Sequence, residues 1–366
     1  MPKVSIILTS FNHDKYLNEA IDSVLGQTFT DFELIIWDDA SSDNSWHLIR
    51  QYSDPRIKAF HNDEQKRGAW GINKAISEVA AGEYIAIHHS DDIWEREKLE
   101  KQVKFIDDYS DVGAVFTRVQ VINEKGDPFK EDDHVYSQIF DQPNRTRFEW
   151  LRHFFYFGNC LCHPSVMVRK SCYKSVGLYD RRFAQICDLE MWVRLCMKYD
   201  IYVLEMPLTR FRVRANEMNQ SGNKPETHIR SYMEFQQVLK NYLKISSVDE
   251  LRSIFPDIKE IMAPSNNHIP FLVAIYAAEQ GGYLHRPFAI NTLYELFQDS
   301  DAGNILENNY HFSFPDLIKL TGTKDCSRFN EIASLKEEIT RIKSTYSWRM
   351  TKPFRFFSNI RRHFQK

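Results

Sequence analysis

The sequence has no strong excess of charge of either sign and no long apolar run. Its 47 Lys and Arg residues are balanced by 50 Asp and Glu residues, which gives a formal net charge of −3. Domains dedicated to nucleic acids usually carry a strongly basic balance. A bilayer-spanning helix needs about 20 consecutive apolar residues, and no stretch approaches that length. We therefore expect neither a nucleic-acid partner nor an integral membrane protein.

Cysteine is also scarce, with six residues in a chain of 366. This number does not resemble a secreted disulfide framework, and the N-terminus has no basic segment leading into a long apolar stretch. We expect a cytoplasmic protein. Cys160, Cys162, His163 and Cys172 raise the question of zinc, but they lack the paired Cys-x-x-Cys spacing of structural zinc sites.

The first third of the chain alternates between short apolar runs and segments with helical periodicity. The predicted strands are Val4–Leu8, Phe32–Trp37, Ile57–Phe60 and Tyr84–His88, and the predicted helices contain Leu17–Leu25, Ser45–Tyr52, Ile72–Val79 and Leu99–Ile106. This alternation predicts parallel strands joined by right-handed crossovers, with helices on both faces of the sheet. The fold class is therefore α/β, with a Rossmann-like, mostly parallel sheet.

The pattern becomes mixed after the predicted strand Val115–Ile122. We expect a mobile loop over residues 130–147, and then a helix, a strand and a second helix at Phe148–Phe157, Ser165–Val168 and Leu189–Met197. Residues 225–320 show mostly helical periodicity. They contain no motif that indicates a function.

Two acidic pairs follow predicted strands directly. Asp38-Asp39 comes after Phe32–Trp37, and Asp91-Asp92 comes after Tyr84–His88. In an open α/β sheet, ligands bind beyond the carboxyl ends of the strands, and a divalent cation held there by few carboxylates can bind substrate phosphates. The pairs predict a site for a nucleotide diphosphate. Either pair could instead form only a turn and a helix N-cap.

Six segments in order resemble the family 2 glycosyltransferases of the GT-A fold, and the resemblance covers about residues 3–220. The segments are Thr9-Ser10-Phe11-Asn12, Gln27–Glu33, Asp38-Asp39-Ala40-Ser41, Gly82–Ala86, Asp91-Asp92-Ile93-Trp94 and Asp188–Leu195. The resemblance implies a GT-A fold and transfer of a sugar from a nucleotide donor.

The resemblance also implies residues for the donor and a metal. Asp39 corresponds to a ligand of uracil or ribose, and the full set expected to bind the nucleotide is Thr9, Phe11, Asn12, Asp39, Arg67, Asp91, Arg212 and Arg214. Asp91 and Asp92 correspond to the end of the family's metal-binding motif, with Asp92 the preferred ligand of Mn²⁺ or Mg²⁺. His89 stands where the family commonly has Asp.

The resemblance further implies that Asp188 is the catalytic base, which removes a proton from the acceptor hydroxyl in an inverting transfer. Cys187 precedes it where the family often has an acid, and Asp188 could instead be an N-cap of the following helix. His163 and Trp192 are expected on the acceptor side. His163 could also be a turn residue beside Pro164.

The sequence predicts three regions. Residues 1–222 form the GT-A domain, with 1–125 the nucleotide-sugar-binding half and 126–222 the acceptor half, residues 223–325 form a helical extension, and residues 326–366 form a tail. The tail begins with a heptad seam that permits a coiled-coil homodimer. It ends in aromatic and basic residues that are typical of an interfacial segment: Trp348, Arg349, Lys352, Phe354, Arg355, Phe356, Phe357, Ile360, Arg361, Arg362 and Phe364.

These features lead to one principal interpretation. It is a metal-dependent inverting glycosyltransferase that uses a UDP-sugar and a glycan or lipid-linked acceptor in bacterial surface polysaccharide synthesis, bound to the inner face of the cell membrane through its tail. An inactive nucleotide-sugar-binding scaffold is the alternative, because His89 and Cys187 depart from the family pattern. A nucleotidyltransferase usually has a Gly-rich loop after its first strand, which Thr9–Asn12 lacks.

Overall fold

A computed structural model describes residues 1–129, 134–215, 218–258, 265–298, 300–326 and 328–345. The chain divides into two compact units, Met1–Pro270 and Phe271–Lys366. The first unit contains the sheet and the second is helical. The three regions predicted from the sequence, 1–222, 223–325 and 326–366, stay a prediction.

The first unit is built on a mixed sheet of eight strands. They are β1 (Val4–Ser10), β2 (Phe32–Asp38), β3 (Ile57–His61), β4 (Tyr84–His89), β5 (Ile93–Trp94), β6 (Val112–Ile122), β7 (Met167–Arg169) and β8 (Asp200–Arg212). Their order across the sheet is β3-β2-β1-β4-β7-β6-β8-β5. The first four are mutually parallel, β7 is antiparallel to β4 and β6, and β8 runs parallel to β6. The predicted α/β class is confirmed.

The central strands are apolar runs because helices cover both faces of the sheet. Every residue of β2 is buried, and so are all residues of β1 except Thr9. The core on one face combines β1, β2 and β4 with apolar residues of the first and fourth helices, among them Leu17, Ile21, Leu99 and Ile106. This packing fixes the sheet edge at which β1, β2 and β4 end.

Ten helices accompany these strands within the described part of the first unit. They are α1 (Leu17–Leu25), α2 (Ser45–Ile49), α3 (Trp70–Lys74), α4 (Lys98–Asp108), α5 (Val135–Phe140), α6 (Arg147–Phe157), α7 (Lys170–Val176), α8 (Cys187–Cys196), α9 (Pro225–Leu239) and α10 (Val248–Ile254). A π-helical turn, Ala75–Val79, continues α3, and 3₁₀ turns occupy His163–Ser165 and Lys240–Lys244.

Several predicted elements differ from the structure. The loop expected over residues 130–147 is wrong at α5, whose aromatic side chains Tyr136 and Phe140 pack on Phe211 of β8; residues 130–133 lie outside the described ranges. The strand expected at Ser165–Val168 begins only at Met167, because a 3₁₀ turn occupies His163–Ser165. The helix expected at Ser45–Tyr52 ends at Ile49.

The second unit begins within α11 (Ile269–Gln280), a helix that spans the division between the two units. The remaining described helices are α12 (Arg286–Leu296), α13 (Ser300–Tyr310), α14 (Phe314–Thr323) and α15 (Phe329–Ser344). The predicted seam lies on α15, where Ile332, Leu335, Ile339 and Ile342 are exposed. The aromatic and basic residues from Tyr346 to the end lie outside the described residues. None of the described helices combines the length and apolar character needed to cross a bilayer.

Candidate functional site

The carboxyl ends of β1, β2 and β4 bring the predicted polar segments to one edge of the sheet. Thr9 pairs with Trp37 of β2 on one side and with His89 of β4 on the other, and Ser10 pairs with Asp38. The segments that follow these three strands therefore start side by side. The structure thus places both acidic pairs and the Phe11-Asn12 turn at one edge of the sheet, as the sequence predicts for an α/β sheet.

Asp39 organises the loop that follows β3. Its carboxylate accepts hydrogen bonds from the side chain of Asn62 at 2.7 Å and from the backbone N–H groups of Lys66 and Arg67 at 2.8 and 2.9 Å. Arg67 has a φ of 57°, a conformation that non-glycine residues adopt at a cost. The carboxylate of Asp39 therefore holds the backbone of Arg67 next to the end of β2.

The turn after β1 is held in a similar way. Asn12 has a φ of 53°, and its side-chain oxygen accepts a hydrogen bond from the N–H of Ser42 at 2.8 Å. Its own N–H donates to Ser41 Oγ at 2.9 Å. Phe11 beside it is 38% exposed. The turn thus presents an aromatic ring to solvent from a fixed backbone.

A group of three potential metal ligands lies at the end of β4. Ligand atoms of His89, Asp91 and Asp92 are within 4.8 Å of one another. Asp92 is 2% exposed, and its Oδ1 accepts the N–H of Arg212 at 2.8 Å, whereas its Oδ2 has no hydrogen-bond partner. Burial, and next the charge of Asp91, raise the pKa of Asp92 well above its usual range. A buried carboxylate oxygen without a partner is costly, and a bound cation would satisfy it, so these residues fit a divalent metal.

His13, which sequence reasoning missed, completes the surroundings of Asp91. Its Nδ1 lies 2.8 Å from Ser90 Oγ and 3.8 Å from Asp91 Oδ1. Burial lowers the pKa of His13, and Asp91 opposes that shift. On the other side, Arg214 Nε lies 3.4 Å from Asp91 Oδ2. Asp91 is therefore held between an imidazole and a guanidinium.

The two arginines expected to bind the diphosphate have different environments. Arg212 is 1% exposed, and its guanidinium donates to the backbone oxygens of Asp91 and Glu124 and to the carboxylate of Glu19. These bonds connect β8 to the acidic turn and to α1, so the Arg212 side chain supports the site from the interior. Arg214 lies at Asp91 itself, and its position suits contact with a phosphate better.

Asp188 lies in the first turn of α8, where two groups fix its carboxylate. Asn159 Nδ2 donates to Asp188 Oδ2 at 2.7 Å, and the N–H of Leu189 donates to Oδ1 at 2.8 Å. Burial raises the pKa of Asp188 to about 6, although these hydrogen bonds oppose the shift. Such a carboxylate is ionised at neutral pH yet basic enough to accept a proton. Nothing in the sequence singled out Asn159.

His163 connects the metal-ligand group with α8. Its ring lies 5.1 Å from that of His89 and 5.7 Å from that of Trp192, and its Nε2 lies 2.9 Å from Tyr179 Oη. Burial lowers the pKa of His163 well below its usual range. Trp192 is fully buried. Its ring packs against that of His163 and is not accessible to an acceptor in this conformation.

The segment between α6 and β7 connects the two groups of carboxylates. Its Asn159 donates to Asp188 Oδ2 at 2.7 Å, and the ring of its His163 lies 5.1 Å from the ring of His89. Between these residues, burial raises the pKa of the Cys162 thiol well above its usual range, and the charges of Asp92 and Asp188 raise it further. One segment thus contacts both the His89-Asp91-Asp92 group and the carboxylate of Asp188.

Known proteins resemble the chain in sequence. The model of "Glycosyl transferase family 2" matches residues 5–173. An uncharacterized glycosyltransferase of Methanocaldococcus jannaschii is 30% identical over 217 residues, which cover 58% of this chain and 71% of that protein. The UDP-Glc:α-D-GlcNAc-diphosphoundecaprenol β-1,3-glucosyltransferase WfaP of Escherichia coli is 32% identical over 200 residues, 54% of this chain and 72% of that protein.

The fold also has a solved counterpart. The structure of S. aureus TarS 1-349 in complex with UDP-GlcNAc superposes with a TM-score of 0.53 at 17% identity, covering 90% of this chain and 92% of that one. Against the longer TarS chain, the coverage of that chain is 54%. This likeness is one of fold, and it confirms the predicted GT-A architecture with C-terminal helices.

Proposed function

This chain belongs to the family 2 glycosyltransferases, and we propose that it transfers a sugar, with inversion, from a UDP-sugar to a hydroxyl of a lipid-linked glycan. The observation that carries the proposal is the segment between α6 and β7, whose Asn159 bonds Asp188 and whose His163 ring lies 5.1 Å from that of His89, beside the Asp91-Asp92 pair. One group suits a nucleotide diphosphate and the other suits a hydroxyl about to lose its proton.

The donor would occupy the edge formed by β1, β2 and β4. Phe11 is exposed there for contact with the base, Asp39 and Asn12 lie in the adjoining turns, and Arg214 can pair with a phosphate through its planar donors. WfaP acts with UDP-Glc, which supports uridine as the nucleoside.

A divalent cation, Mn²⁺ or Mg²⁺, would be held by His89, Asp91 and Asp92. When bound, it would neutralise charge on the departing diphosphate. The imidazole of His89 is a nitrogen ligand where related enzymes commonly offer an oxygen. Nitrogen ligands suit Mn²⁺ better than Mg²⁺, so Mn²⁺ is the cation we propose.

Asp188 is the proposed general base. Its carboxylate, aligned by Asn159, removes the proton of the acceptor hydroxyl as that oxygen attacks the anomeric carbon. The bond from the anomeric carbon to the diphosphate oxygen breaks, and its electron pair leaves with the nucleotide. A single displacement inverts the configuration, and general-base assistance contributes about 10²- to 10⁴-fold.

The acceptor is proposed to be a diphospho-polyprenol carrying a sugar, by analogy with WfaP, a glucosyltransferase acting on α-D-GlcNAc-diphosphoundecaprenol. His163, half-buried between His89 and Trp192, is the proposed acceptor-side residue. We further propose that the tail after Thr345 binds anionic lipid at the cytoplasmic face of the membrane, where such an acceptor resides. Each basic residue near an anionic surface contributes about 1 kcal/mol.

We also propose a homodimer that pairs through the exposed seam of α15. Sedimentation analysis of the full chain tests it, with Leu335→Glu and Ile339→Glu introduced together as the disrupting variant. A truncation after Ser344 separates the membrane proposal from the enzyme: it should lose binding to anionic vesicles and keep donor hydrolysis.

Calorimetric titration with UDP, GDP and dTDP, with and without Mn²⁺, tests the donor proposal. We expect UDP to bind in a metal-dependent manner. Transfer to a synthetic GlcNAc-diphospho-lipid then compares the wild type with Asp188→Asn, which should keep UDP affinity and lose about 100-fold or more in turnover. UDP binding without any transfer or donor hydrolysis by the wild type would favour the inactive scaffold.

A further inference from the structure

The backbone that enters α8 is held by a carboxylate from a distant part of the chain. Glu234, in the middle of α9, is 8% exposed. Its oxygens accept the N–H groups of three consecutive residues, Ala184 at 2.8 Å, Gln185 at 2.9 Å and Ile186 at 2.9 Å. Among the described residues, Asp39 and Asp325 each accept two successive backbone N–H groups.

These three donors are otherwise without partners in regular structure. Ile186 is the N-cap residue of α8 and makes no side-chain cap hydrogen bond, and Ile is among the poorest residues at that position. Backbone N–H groups just before and within the first turn have no partner inside the helix. Glu234 thus bonds the N-cap residue and the two residues before it, and so fixes the chain that leads into α8. The N–H of Leu189 in the first turn is bonded instead by Asp188 Oδ1.

A second contact holds the same helix. Asn241, which follows α9, donates to Glu190 of α8 at 3.3 Å, and Glu190 is buried and paired with Arg194 at 2.6 Å. The segment from 225 to 244 therefore holds α8 at its start and one turn further on. Asp188 lies between these two points, and Glu234 lies beyond the residues 5–173 that the family model matches.

We propose that Glu234 is a positioning residue for Asp188: by fixing residues 184–186, it sets the carboxylate of Asp188 at the angle that the acceptor hydroxyl requires. This inference rests on the proposed role of Asp188 as the base. Displacement of the backbone would also disturb the 2.7 Å hydrogen bond from Asn159, since both contacts depend on where α8 begins. A displacement of about 1 Å in a reacting group can cost about 100-fold in rate.

The charge of Glu234 gives the role a signature in the pH profile. It acts on Asp188 in the same direction as burial, raising the pKa of that carboxyl, whereas Asn159 and the backbone N–H groups lower it. The other titratable neighbours are Cys162, Tyr179 and Cys187, whose pKa values are all raised by burial. These three groups are neutral near pH 7, so Glu234 is the charged neighbour that acts on Asp188.

The test compares Glu234→Gln with Glu226→Gln. Both residues lie on α9, but Glu226 is exposed in its first turn. For Glu234→Gln we expect turnover to fall by about 10- to 100-fold, with the donor KM and the UDP affinity within about twofold of the wild type. The acidic limb of its turnover, plotted against pH, should shift to lower pH because the charge that raises the pKa of Asp188 is removed. Glu226→Gln should match the wild type in all of these measurements.

Hydrogen exchange of the peptide containing residues 184–188 is measured on the same samples. It should accelerate in Glu234→Gln and not in Glu226→Gln, and Glu234→Asp provides a second variant if the first does not fold. If Glu234→Gln matches the wild type in turnover, in the acidic limb of its pH profile and in hydrogen exchange, the inference is wrong. If Asp188→Asn retains full turnover, the proposed base is wrong; if Asp188→Asn is inactive and Glu234→Gln is not impaired, only the positioning role is wrong.

Discussion

Asn159 donates a 2.7 Å hydrogen bond to the carboxylate of Asp188, and this contact joins the loop after α6 to the first turn of α8. It opposes the effect of burial on the same carboxyl, whose pKa is nevertheless raised to about 6. Asn159 therefore has two effects on the proposed base. It orients the carboxylate and keeps it ionised at neutral pH.

Replacement of Asn159 by Ala should move the acidic limb of turnover to higher pH. A base acts only when ionised, so wild-type turnover should be lost as pH falls through about 6. Loss of a hydrogen bond to the charged form raises the pKa, and we expect a shift of about one unit. Turnover is measured from about pH 5 to 9, with the exposed Asn308→Ala as the control. An unmoved limb, or one moved to lower pH, would contradict the prediction.

Asp188→Asn should stabilise the fold while removing activity. The pKa of Asp188 is raised from 3.8 to about 6 in the folded state. Below pH 3.8 the carboxyl is neutral and its burial does not reduce the free energy of unfolding. As the pH rises from 3.8 to about 6, the buried carboxyl increasingly lowers the free energy of unfolding. Above that pH the loss is constant. Relative to the wild type, the variant should gain about 1 kcal/mol in unfolding free energy between about pH 5 and pH 8.

Denaturant unfolding at both pH values measures this difference. The exposed Asp111→Asn serves as the matched control. If the difference in unfolding free energy between Asp188→Asn and the wild type is the same at both pH values, the surroundings of Asp188 do not disfavour its charged form.

The two neighbouring arginines of β8 and its continuation should respond differently to replacement by Ala. Arg212 is buried and donates to three different segments, so its loss leaves carbonyl and carboxylate groups unpaired and should cost about 3 kcal/mol or more of unfolding free energy. Arg214 pairs with Asp91 at 3.4 Å and donates to the backbone oxygen of Met218 close to it in the chain. Its loss should cost less than about 1 kcal/mol and weaken UDP binding about tenfold.

Thermal unfolding and calorimetry of both variants measure these effects. If Arg214→Ala binds UDP as well as the wild type does, the diphosphate does not contact this side chain. If Arg212→Ala keeps wild-type stability, the side chain is not needed in the interior.

The strands could be predicted from sequence because burial on both faces makes them continuous apolar runs. The acidic pairs could be placed at one edge because parallel strands end there together. The register that sets Thr9 beside His89 comes from the structure. The environment of Arg212 could not be predicted. A charged residue on a strand usually faces solvent, and only the packing of α1 and the turn after β6 around it encloses the guanidinium.

Glu234 illustrates the other limit. Its role depends on α9 packing against the start of α8, a contact that no local periodicity specifies. In the sequence, Asp188 itself could cap a helix that begins at Leu189, so nothing indicated that the chain before it needs a partner. The structure starts α8 at Cys187, and the three N–H groups before it are bonded by Glu234.

Replacement of His89 by Asp should change which metal supports UDP binding. The change substitutes an oxygen ligand for the imidazole next to Asp92, whose Oδ2 lies 3.8 Å from His89 Nδ1. Oxygen ligands favour Mg²⁺ relative to a set that includes nitrogen. We expect the preference for Mn²⁺ over Mg²⁺, measured as the ratio of UDP dissociation constants by calorimetry, to fall by about tenfold. His228→Asp, on an exposed part of α9, should leave this ratio unchanged. An unaltered ratio in His89→Asp would mean that His89 does not contact the metal, and the ligands would then be Asp91 and Asp92 alone.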